Sequence, residues 1–370
     1  MIQSAKKRII VSVTSDLVSD NRVHKVCTSL RNTGFDILLL GRKRKTSLPL
    51  QPREYKTRRF RLWFEKGPLF YACFNLRLFC FLLFSKTDVL LANDLDSLPA
   101  NFLASKIKNK PLVYDSHEYF TQVPELINRP RIQKTWEWLE KKMVPKIPLA
   151  YTVCHSIARV YSQKYGTDFR VVRNVPLSAS QQPAQKTENK PKIILYQGAV
   201  NVGRGLQQVI MAMKNIDGAK LIIAGDGDIK HELVQLVQNE NLQHKVEFTG
   251  RLSIEELSQL TPQADLGLSV EEDLGLNYRF TLPNKLFDYI QAHVPVLVTN
   301  LPEMAAIVEH YRIGEITPSL KPAVLTEKIN KALLDENARK TWKTNLKKAA
   351  KDLVWEKEEK VLLEIFERFS

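Results

Sequence analysis

Residues 192–210 read KIILYQGAVNVGRGLQQVI, and this stretch decides how the chain folds. It begins with an apolar, β-branched run that predicts a buried strand, and it ends with LQQVI, whose apolar spacing predicts a helix. Three glycines, Gly198, Gly203 and Gly205, lie between the two. A strand, a glycine-rich turn and a helix in this order form the first part of a βαβ unit.

Ten further apolar runs of this kind occur along the chain, and segments of helical period separate them. The regular alternation of strand and helix predicts parallel sheets of the α/β class. The runs are RIIVSV from residue 8, FDILLLG from 35, DVLLAND from 88, PLVYDSHE from 111, LAYTVC from 149, RVVRNV from 170, KLIIAGDG from 220, KVEFTG from 245, DLGLSV from 265 and VPVLVTN from 294.

The length of 370 residues favours two domains over one. Residues 176–190, PLSASQQPAQKTENK, are polar, contain proline and show no periodicity, which is typical of a linker. We therefore predict a first Rossmann-like domain over 1–178 and a second over 179–351. We expect a last helix, about 352–370, to pack back on the first domain.

The formal net charge is +15, which favours anionic partners such as a nucleotide, a membrane surface or a nucleic acid. No recognised nucleic-acid motif accompanies the charge, so we expect no nucleic-acid partner. The four cysteines are scattered and form no CxxC pair, which favours a reducing cytoplasm over a zinc site or a disulfide framework. The start, MIQSAKKRIIVSV, has no small-residue cleavage site, so it does not indicate a signal peptide.

The glycine-rich turn carries a cation, Arg204, directly before the predicted helix. Backbone amides at a helix start hold phosphate, and a guanidinium beside them suits a pyrophosphate leaving group. The turn lacks the Lys and the Ser or Thr of a P-loop and does not match GxGxxG, so neither a P-loop NTPase nor an NAD site is favoured. The alternative is a tight turn with an exposed arginine.

A histidine, His117, follows the strand PLVYDSHE and lies next to Asp115 and Glu118 in sequence. Ligands of parallel α/β sheets bind outside the carboxyl ends of the strands, so this place predicts a functional histidine. The alternative is a structural or surface histidine.

The segment LPNKLFDY begins a helix near Asn284 and brings Lys285 and Asp288 to one face. In functional terms Lys285 meets phosphate and Asp288 accepts ribose hydroxyls, whereas the alternative is a solvent-exposed salt bridge. A further glycine, Gly225, permits a tight turn at the end of KLIIAG. The acidic loop Glu271-Glu272-Asp273 offers sugar contacts or, alternatively, a solvated face.

Taken in order, the second half of the chain resembles family 4 of the retaining glycosyltransferases, which have the two-domain GT-B fold. The motifs are the glycine loop with Arg204-Gly205, AGDGDIKHEL, VEFTGRLSIEEL, ADLGLSV and LPNKLFDYIQAHVPVLVTN. The first half, with DNRVHKVCTSLRNTGFDILLLG and NDLDSLPANFLASKIKNKPLVYDSHE, is similar to the acceptor half of these enzymes.

This resemblance implies two Rossmann-like domains facing across a cleft, and transfer of a sugar from a UDP- or GDP-sugar with retention of configuration. It implies no metal and no other cofactor. Arg204 and Lys285 resemble the residues on the donor pyrophosphate, Asp288 the carboxylate on the ribose, and His117 the histidine that contacts the transferred sugar. We expect the remaining donor contacts from Gly198, Gly203, Gly205, Gly225, Asn284, Glu271 and Glu272.

The chain departs from the family pattern at several positions. The glutamate-x7-glutamate pattern requires an acid where Phe280 stands, and its second acid is Asp288 instead of a glutamate. Ala199 stands where the family has an arginine, and Thr14-Ser15-Asp16-Leu17 replaces a glycine-rich loop after the first strand. Two alternatives therefore stay open, a sugar-nucleotide epimerase of the same fold and an inactive scaffold that binds sugar nucleotides.

The segment KTRRFRLWFEKGPLFYACFNLRLFCFLLFSK, residues 56–86, joins a basic cluster to aromatic and aliphatic residues. Its apolar part is shorter than the ~20 residues of a bilayer-spanning helix. It predicts either docking on an anionic membrane or an ordinary core stripe made by Phe70, Phe74, Leu78 and Phe81. We expect a cytoplasmic enzyme, peripheral on the inner face of the plasma membrane, with a glycan or lipid-linked acceptor from cell-envelope synthesis.

Overall fold

The computed structural model describes residues 6–18, 20–178 and 191–369. The chain divides into two compact units, Met1–Asn174 with Glu358–Ser370, and Val175–Lys357. From residue 179 onward, the predicted linker lies outside the described residues.

The first unit contains a seven-stranded sheet in which every described pair of neighbours is parallel, in the order β3-β2-β1-β4-β5-β6-β7. Its strands are β1 Arg8–Asp16, β2 Asp36–Lys43, β3 Lys56–Arg61, β4 Val89–Asn93, β5 Leu112–Ser116, β6 Leu149–Thr152 and β7 Phe169–Val171. Its helices before the second unit are α1 Asn21–Asn32, α2 Gly67–Phe84, α3 Asp94–Lys108, α4 Pro124–Ile127, α5 Pro130–Met143 and α6 His155–Tyr165.

The second unit contains a six-stranded sheet, also parallel, in the order β10-β9-β8-β11-β12-β13. Its strands are β8 Lys192–Gln197, β9 Ala219–Ala224, β10 Val246–Gly250, β11 Leu266–Ser269, β12 Val296–Thr299 and β13 Gly314–Thr317. The remaining helices are α7 Leu206–Ala212, α8 Lys230–Asn239, α9 Ile254–Leu260, α10 Leu276–Arg279, α11 Asn284–Gln291, α12 Pro302–Tyr311, α13 Pro322–Leu334, α14 Glu336–Asp352 and α15 Trp355–Phe366.

All eleven predicted runs are strands, so the α/β prediction is confirmed. Two strands were not predicted, β3 and β13, and both lie at the edge of a sheet. In β3, KTRRFR, only Phe60 is buried, because an edge strand needs little apolar surface. The edge strands β3 and β13 therefore lack the apolar runs that predict central strands.

Each sheet reverses its strand order once. In the first unit, β2 and β3 lie on one side of β1, and the next strand in sequence, β4, lies on its other side. In the second unit, β8 and β11 are related in the same way. Loops on the two sides of such a switch point lead away from each other, so a crevice forms outside the carboxyl ends of the strands. The candidate residues are therefore expected at the β1/β4 and β8/β11 switch points.

The C-terminal helix α15 begins in the second unit, and from Glu358 onward it belongs to the first. Glu358 is buried and accepts hydrogen bonds from the backbone and the guanidinium of Arg173. Further along, the ring of Phe366 packs edge-on against Phe35, with 6.5 Å between the centroids. An ion pair and an aromatic contact thus fix this helix on the first unit.

Candidate functional site

The glycine loop after β8 is held by close backbone contacts. The amide of Gly198 donates to Ala224 at 3.0 Å. A Cβ on Gly225 would lie 1.8 Å from the Gly198 carbonyl oxygen, and a Cβ on Gly205 would lie 2.3 Å from that of Val270. These glycines therefore seat the loop between the ends of β9 and β11, where any side chain would push it away.

Three charged side chains meet at the β8/β11 switch point. Glu271, directly after β11, is fully buried, and its Oε1 lies 2.8 Å from Lys285 Nζ and 3.6 Å from the Arg204 guanidinium. Its Oε2 accepts a hydrogen bond from Ser269 at 2.8 Å. Lys285 Nζ also lies 4.0 Å from the centroid of the Tyr196 ring. We call Arg204, Glu271 and Lys285 the charged triad.

The triad carries one surplus positive charge. Burial by itself raises the pKa of Glu271, but Lys285 and then Arg204 outweigh it, and the pKa is lowered below its ordinary value. Glu271 is thus ionised and neutralises one of the two cations. The Arg204 side chain is 26% exposed, and its buried Nε has no hydrogen-bond partner among the described residues. Arg204 therefore has a donor group to spare for an anion.

Helix α11 positions two of the predicted residues separately. Lys285, 8% exposed, pairs with Glu271, whereas Asp288 accepts a hydrogen bond from Gln197 Nε2 at 2.9 Å. Lys285 and Asp288 thus have different partners, which does not match the alternative of a solvent-exposed salt bridge between them. Asn284, at the first turn of the same helix, is exposed. The hydroxyl of Tyr289 accepts from the Gln197 amide at 3.1 Å, which ties the helix to the end of β8.

The three acids after β11 have three different surroundings. Glu271 belongs to the triad, and Asp273 pairs with Arg279 at the surface. The side chain of Glu272 makes no hydrogen bond or ion pair within the described parts of the chain, while its amide donates to Gly203 at 2.9 Å. These surroundings favour Glu272 as the residue of the predicted sugar contact. They favour Glu271 as the residue that holds the two cations. The sequence signal for Glu271 was a carboxylate placed directly after an apolar strand.

In the first unit, His117 lies between two carboxylates. Its Nε2 is 2.9 Å from Asp115, its Nδ1 is 3.3 Å from Asp94, and its backbone amide donates to Asp94 at 2.8 Å. Asp115 is fully buried and accepts two hydrogen bonds from Arg22, at 2.8 and 3.2 Å. His117 is therefore one member of a partly buried ionic network at the carboxyl ends of β4 and β5.

This network keeps His117 protonated at neutral pH. Burial lowers the pKa of His117, but Asp94 and Asp115 outweigh it and raise the pKa to about 9. Burial likewise raises the pKa of Asp115, but Arg22 and His117 outweigh it and hold it at about 2. For Asp94, burial dominates and raises the pKa to about 7. At neutral pH the imidazolium is therefore a hydrogen-bond donor and not a base.

The side chains of the loop Thr14-Ser15-Asp16-Leu17 bind to residues around the loop. Ser15 donates to Asp20 at 2.7 Å, and Asp16 pairs with Arg59 at 3.1 Å. Thr14 donates to Asp96, on the first turn of α3. Within the described residues, no group of three or more His, Cys, Asp or Glu side chains is placed to hold a metal ion.

Two family models match the chain one after the other. The model of Glycosyltransferase Family 4 matches residues 20–176, and that of Glycosyl transferases group 1 matches residues 178–349. The chain belongs to glycosyltransferase family 4. The resemblance inferred from the sequence motifs is therefore confirmed.

Relatives in the family are distant. An uncharacterised glycosyltransferase of Methanocaldococcus jannaschii, MJ1607, is 28% identical over 166 residues, which are 44% of this chain and 40% of that protein. A Campylobacter jejuni α-1,4-N-acetyl-D-galactosaminyltransferase is 24% identical over 275 residues, 72% of this chain and 71% of that one. The chain spans less than half the length of the first of these relatives.

Solved structures of similar fold cover nearly the whole chain. Sucrose-phosphate synthase of Thermosynechococcus elongatus has a TM-score of 0.81 at 16% identity, covering 98% of this chain and 99% of its own. Anabaena HepE, solved with UDP-glucose, has a TM-score of 0.72 at 15% identity, covering 98% and 99%. The family 4 chain therefore has the GT-B fold, as the sequence predicts.

We expect the NMR signals of His117 to titrate near pH 9, and those of the partly buried His24, whose pKa burial lowers, well below them. Because the pKa of His117 is higher in the folded state than in the unfolded state, its stabilisation is complete below about pH 6.5 and is lost as the pH rises through 9. Asp94→Asn removes the largest attraction and lowers the His117 pKa. Titration of His117 at or below pH 6.5 would contradict this electrostatic account.

We expect Glu271→Gln to lower the stability of the second unit by about 3–5 kcal/mol, because it leaves Lys285 buried without a counter-charge. Calorimetric unfolding measures the change. Glu272→Gln is the matched control, since this neighbour lies outside the triad, and its expected effect is within about 0.5 kcal/mol. Equal losses in the two variants would show that the triad does not depend on the Glu271 charge.

Proposed function

We propose that this protein transfers a sugar from a nucleotide diphosphate sugar to a glycan or lipid-linked acceptor. The observation that carries the proposal is the charged triad at the β8/β11 switch point, beside the glycine loop. Switch points of parallel sheets are where nucleotides bind, and a site with surplus positive charge favours a diphosphate.

The donor contacts follow from the surroundings of each side chain. The partnerless Arg204 Nε–H and the Lys285 ammonium face the diphosphate, with the amides of the loop from Gly198 to Gly205 beside them. Asp288, already fixed by Gln197, accepts from the ribose hydroxyls. Glu272 accepts from the hydroxyls of the sugar. In this proposal the two cations carry the charge of the diphosphate, so no metal is needed.

Cleavage of the bond from sugar to diphosphate develops negative charge on the leaving group. Cations that are already in place stabilise that charge without reorganising, and a buried ammonium does so more strongly than one in water. Glu271 contributes by holding both cations where the charge develops. The contact of His117 with the transferred sugar and the retention of configuration stay predictions from the family resemblance.

The named relatives favour particular substrates. HepE was solved with UDP and with UDP-glucose, so we favour UDP over GDP for the donor base. The Campylobacter enzyme is named for an undecaprenol-linked acceptor, and a Streptococcus pneumoniae relative, 26% identical over 161 residues, is named as an α-monoglucosyldiacylglycerol synthase. These names support a lipid-linked acceptor and a role in cell-envelope glycan synthesis.

Helix α2 supports an encounter with a membrane. Its inner stripe, Phe70, Phe74, Leu78 and Leu82, is buried in the first unit. The core alternative is right for the first three but wrong for Phe81, which is half-buried, because Leu82 continues the spacing of the stripe. Its outer face is equally apolar but exposed, with Leu76 66% exposed. Among the described residues, this is the helix that is long and apolar enough to cross a bilayer.

Because its inner stripe is committed to the core, we propose that α2 lies along the membrane surface. Exposed Leu69 and Phe84 extend its apolar outer face, and Trp63 precedes the helix. Arg58 of β3 and Arg77 of α2 each lie over an aromatic ring of this region. Arg61 is the last residue of β3, which precedes α2 in the sequence. Apolar residues with neighbouring cations are the combination that binds an anionic bilayer. The site of action is then the cytoplasmic side of the plasma membrane.

We expect UDP at millimolar concentration to raise the unfolding temperature of the second unit selectively over ADP, CMP and NAD. Binding at 100 times the dissociation constant stabilises the native state by about 2.7 kcal/mol, a shift of several degrees. A shift with GDP and not with UDP would indicate a GDP-sugar as the donor. No shift with either nucleotide would contradict the proposed donor site.

Arg204→Ala is expected to lower the turnover rate, measured as UDP released from the UDP-sugar donor, by ~10²-fold. The reason is that it removes a charged contact to the leaving group. Arg279→Ala is the matched control, since it removes a surface arginine of α10 that pairs with Asp273. Equal turnover in both variants would reject the role of Arg204. Nucleotide binding without any turnover would favour the scaffold alternative, and an epimerised donor would favour the epimerase.

We expect the protein to sediment with phosphatidylglycerol vesicles at low salt, and the double variant Leu69→Ser with Leu76→Ser to sediment much less. Leu334→Ser is the control, since Leu334 is an exposed leucine of α13 in the second unit. Wild-type protein that stays in solution, or a double variant that sediments as fully as the control, would contradict docking through α2.

A further inference from the structure

The arginine of the charged triad is attracted to Glu271 without being oriented by it. Arg204 Nη1 lies 3.6 Å from Glu271 Oε1, which is longer than a hydrogen bond, whereas Lys285 Nζ donates to the same oxygen at 2.8 Å. Coulomb attraction across such a gap has little directionality. A guanidinium is a planar fork, however, and it binds a diphosphate well only when its plane is correctly turned. The orientation of Arg204 therefore depends on a further contact.

That contact is the ring of Tyr278, in the short helix α10. The central carbon of the Arg204 guanidinium lies over this ring, 5.6 Å from its centroid. The distance is inside the ~6 Å at which a cation is attracted to an aromatic face, and guanidinium groups favour such contacts. The tyrosine is half-buried, so its ring is a stable surface on which the guanidinium lies.

The same tyrosine holds the backbone that leads into Arg204. Its hydroxyl donates to the carbonyl of Val202 at 3.1 Å. Gly203 has a φ of +83°, and a Cβ there would lie 2.7 Å from Tyr278 Cε1 and 2.8 Å from Leu274 Cδ1. The ring thus packs directly on the glycine backbone, at a distance that only a glycine permits. Tyr278 therefore contacts both the side chain of Arg204 and the turn that carries it.

Most of this link depends on the aromatic ring itself. The hydrogen bond from the Tyr278 hydroxyl lies at the protein surface, where water competes for both partners. The ion pair of α10, Arg279 with Asp273, is also exposed, and exposed pairs contribute little. We therefore expect phenylalanine to replace Tyr278 with little loss, and an aliphatic side chain to lose the link.

We propose that Tyr278 is a positioning residue of the donor site, whose ring packs on Gly203 and orients the Arg204 guanidinium toward the diphosphate. The inference rests on the proposed transferase function and adds to it a residue that acts through Arg204. A guanidinium that is oriented in advance stabilises the charge of the leaving group without reorganising. Tyr278 therefore affects turnover more than donor binding, because Lys285 continues to hold the diphosphate.

The test is a double-mutant cycle between the tyrosine and the arginine. Its proteins are wild type, Tyr278→Leu, Arg204→Ala and the double variant, with Tyr278→Phe as the conservative replacement. Arg279→Ala is the matched control, since it removes an exposed side chain of the same helix. For each protein, kcat and KM are measured as UDP release from UDP-glucose, UDP-galactose, UDP-N-acetylglucosamine and UDP-N-acetylgalactosamine.

We expect Tyr278→Leu to lower kcat about tenfold and to change the donor KM by less than about threefold, since Arg204 is still present but no longer oriented. Tyr278→Phe and Arg279→Ala stay within about twofold of wild type. The double variant has the kcat of Arg204→Ala, because the tyrosine acts through the arginine. Wild-type kcat in Tyr278→Leu overturns the positioning role. So does a double variant in which the two losses multiply, since Tyr278 would then act independently of Arg204.

A second measurement does not depend on turnover. The ring current of Tyr278 should shift the NMR signal of Arg204 Nε–H upfield of the usual arginine position, and the signal is assigned by its loss in Arg204→Ala. We expect the shift to persist in Tyr278→Phe and to vanish in Tyr278→Leu. An unshifted signal in wild type overturns the inference. The expected shifts in a protein that turns over none of the four donors would count against the proposed function and not against the contact.

Discussion

The site of the second unit depends on one buried ion cluster, Glu271 between Lys285 and Arg204. A charged carboxylate at the end of a buried strand is strongly destabilising unless cations neutralise it. Two cations so close together likewise repel each other unless a carboxylate lies between them. The cluster therefore draws three separate segments to one point, the loop after β8, the end of β11 and helix α11. One positive charge of the cluster remains unneutralised, and the donor site that we propose rests on this surplus.

The two units share one topology but differ in the charged groups at their switch points. Both sheets reverse their order at a switch point, so both offer a crevice at the carboxyl ends of their strands. At β8/β11, Glu271 is paired with Lys285 and Arg204, so this cluster carries more positive than negative charge. At β1/β4, Asp94 and Asp115 are paired with His117, and Asp115 also with Arg22.

Sequence reasoning found the central strands and the individual charged residues, because both have local signals. An apolar run predicts a buried strand, and a lysine or histidine after such a run is conspicuous. It missed β3 and β13, whose edge positions need few apolar residues. Helical spacing left a Lys285–Asp288 salt bridge open as an alternative, whereas the partner of Lys285 in the structure, Glu271, is brought in by the sheet.

The most direct test of the central claim is a crystal structure of the protein with UDP. The account predicts diphosphate oxygens about 3 Å from the Arg204 guanidinium and from Lys285 Nζ, with Glu271 still paired to Lys285. The ribose hydroxyls should reach Asp288. A diphosphate bound elsewhere, with the triad closed on itself as it is here, would contradict the claim that the surplus charge of this cluster forms the donor site.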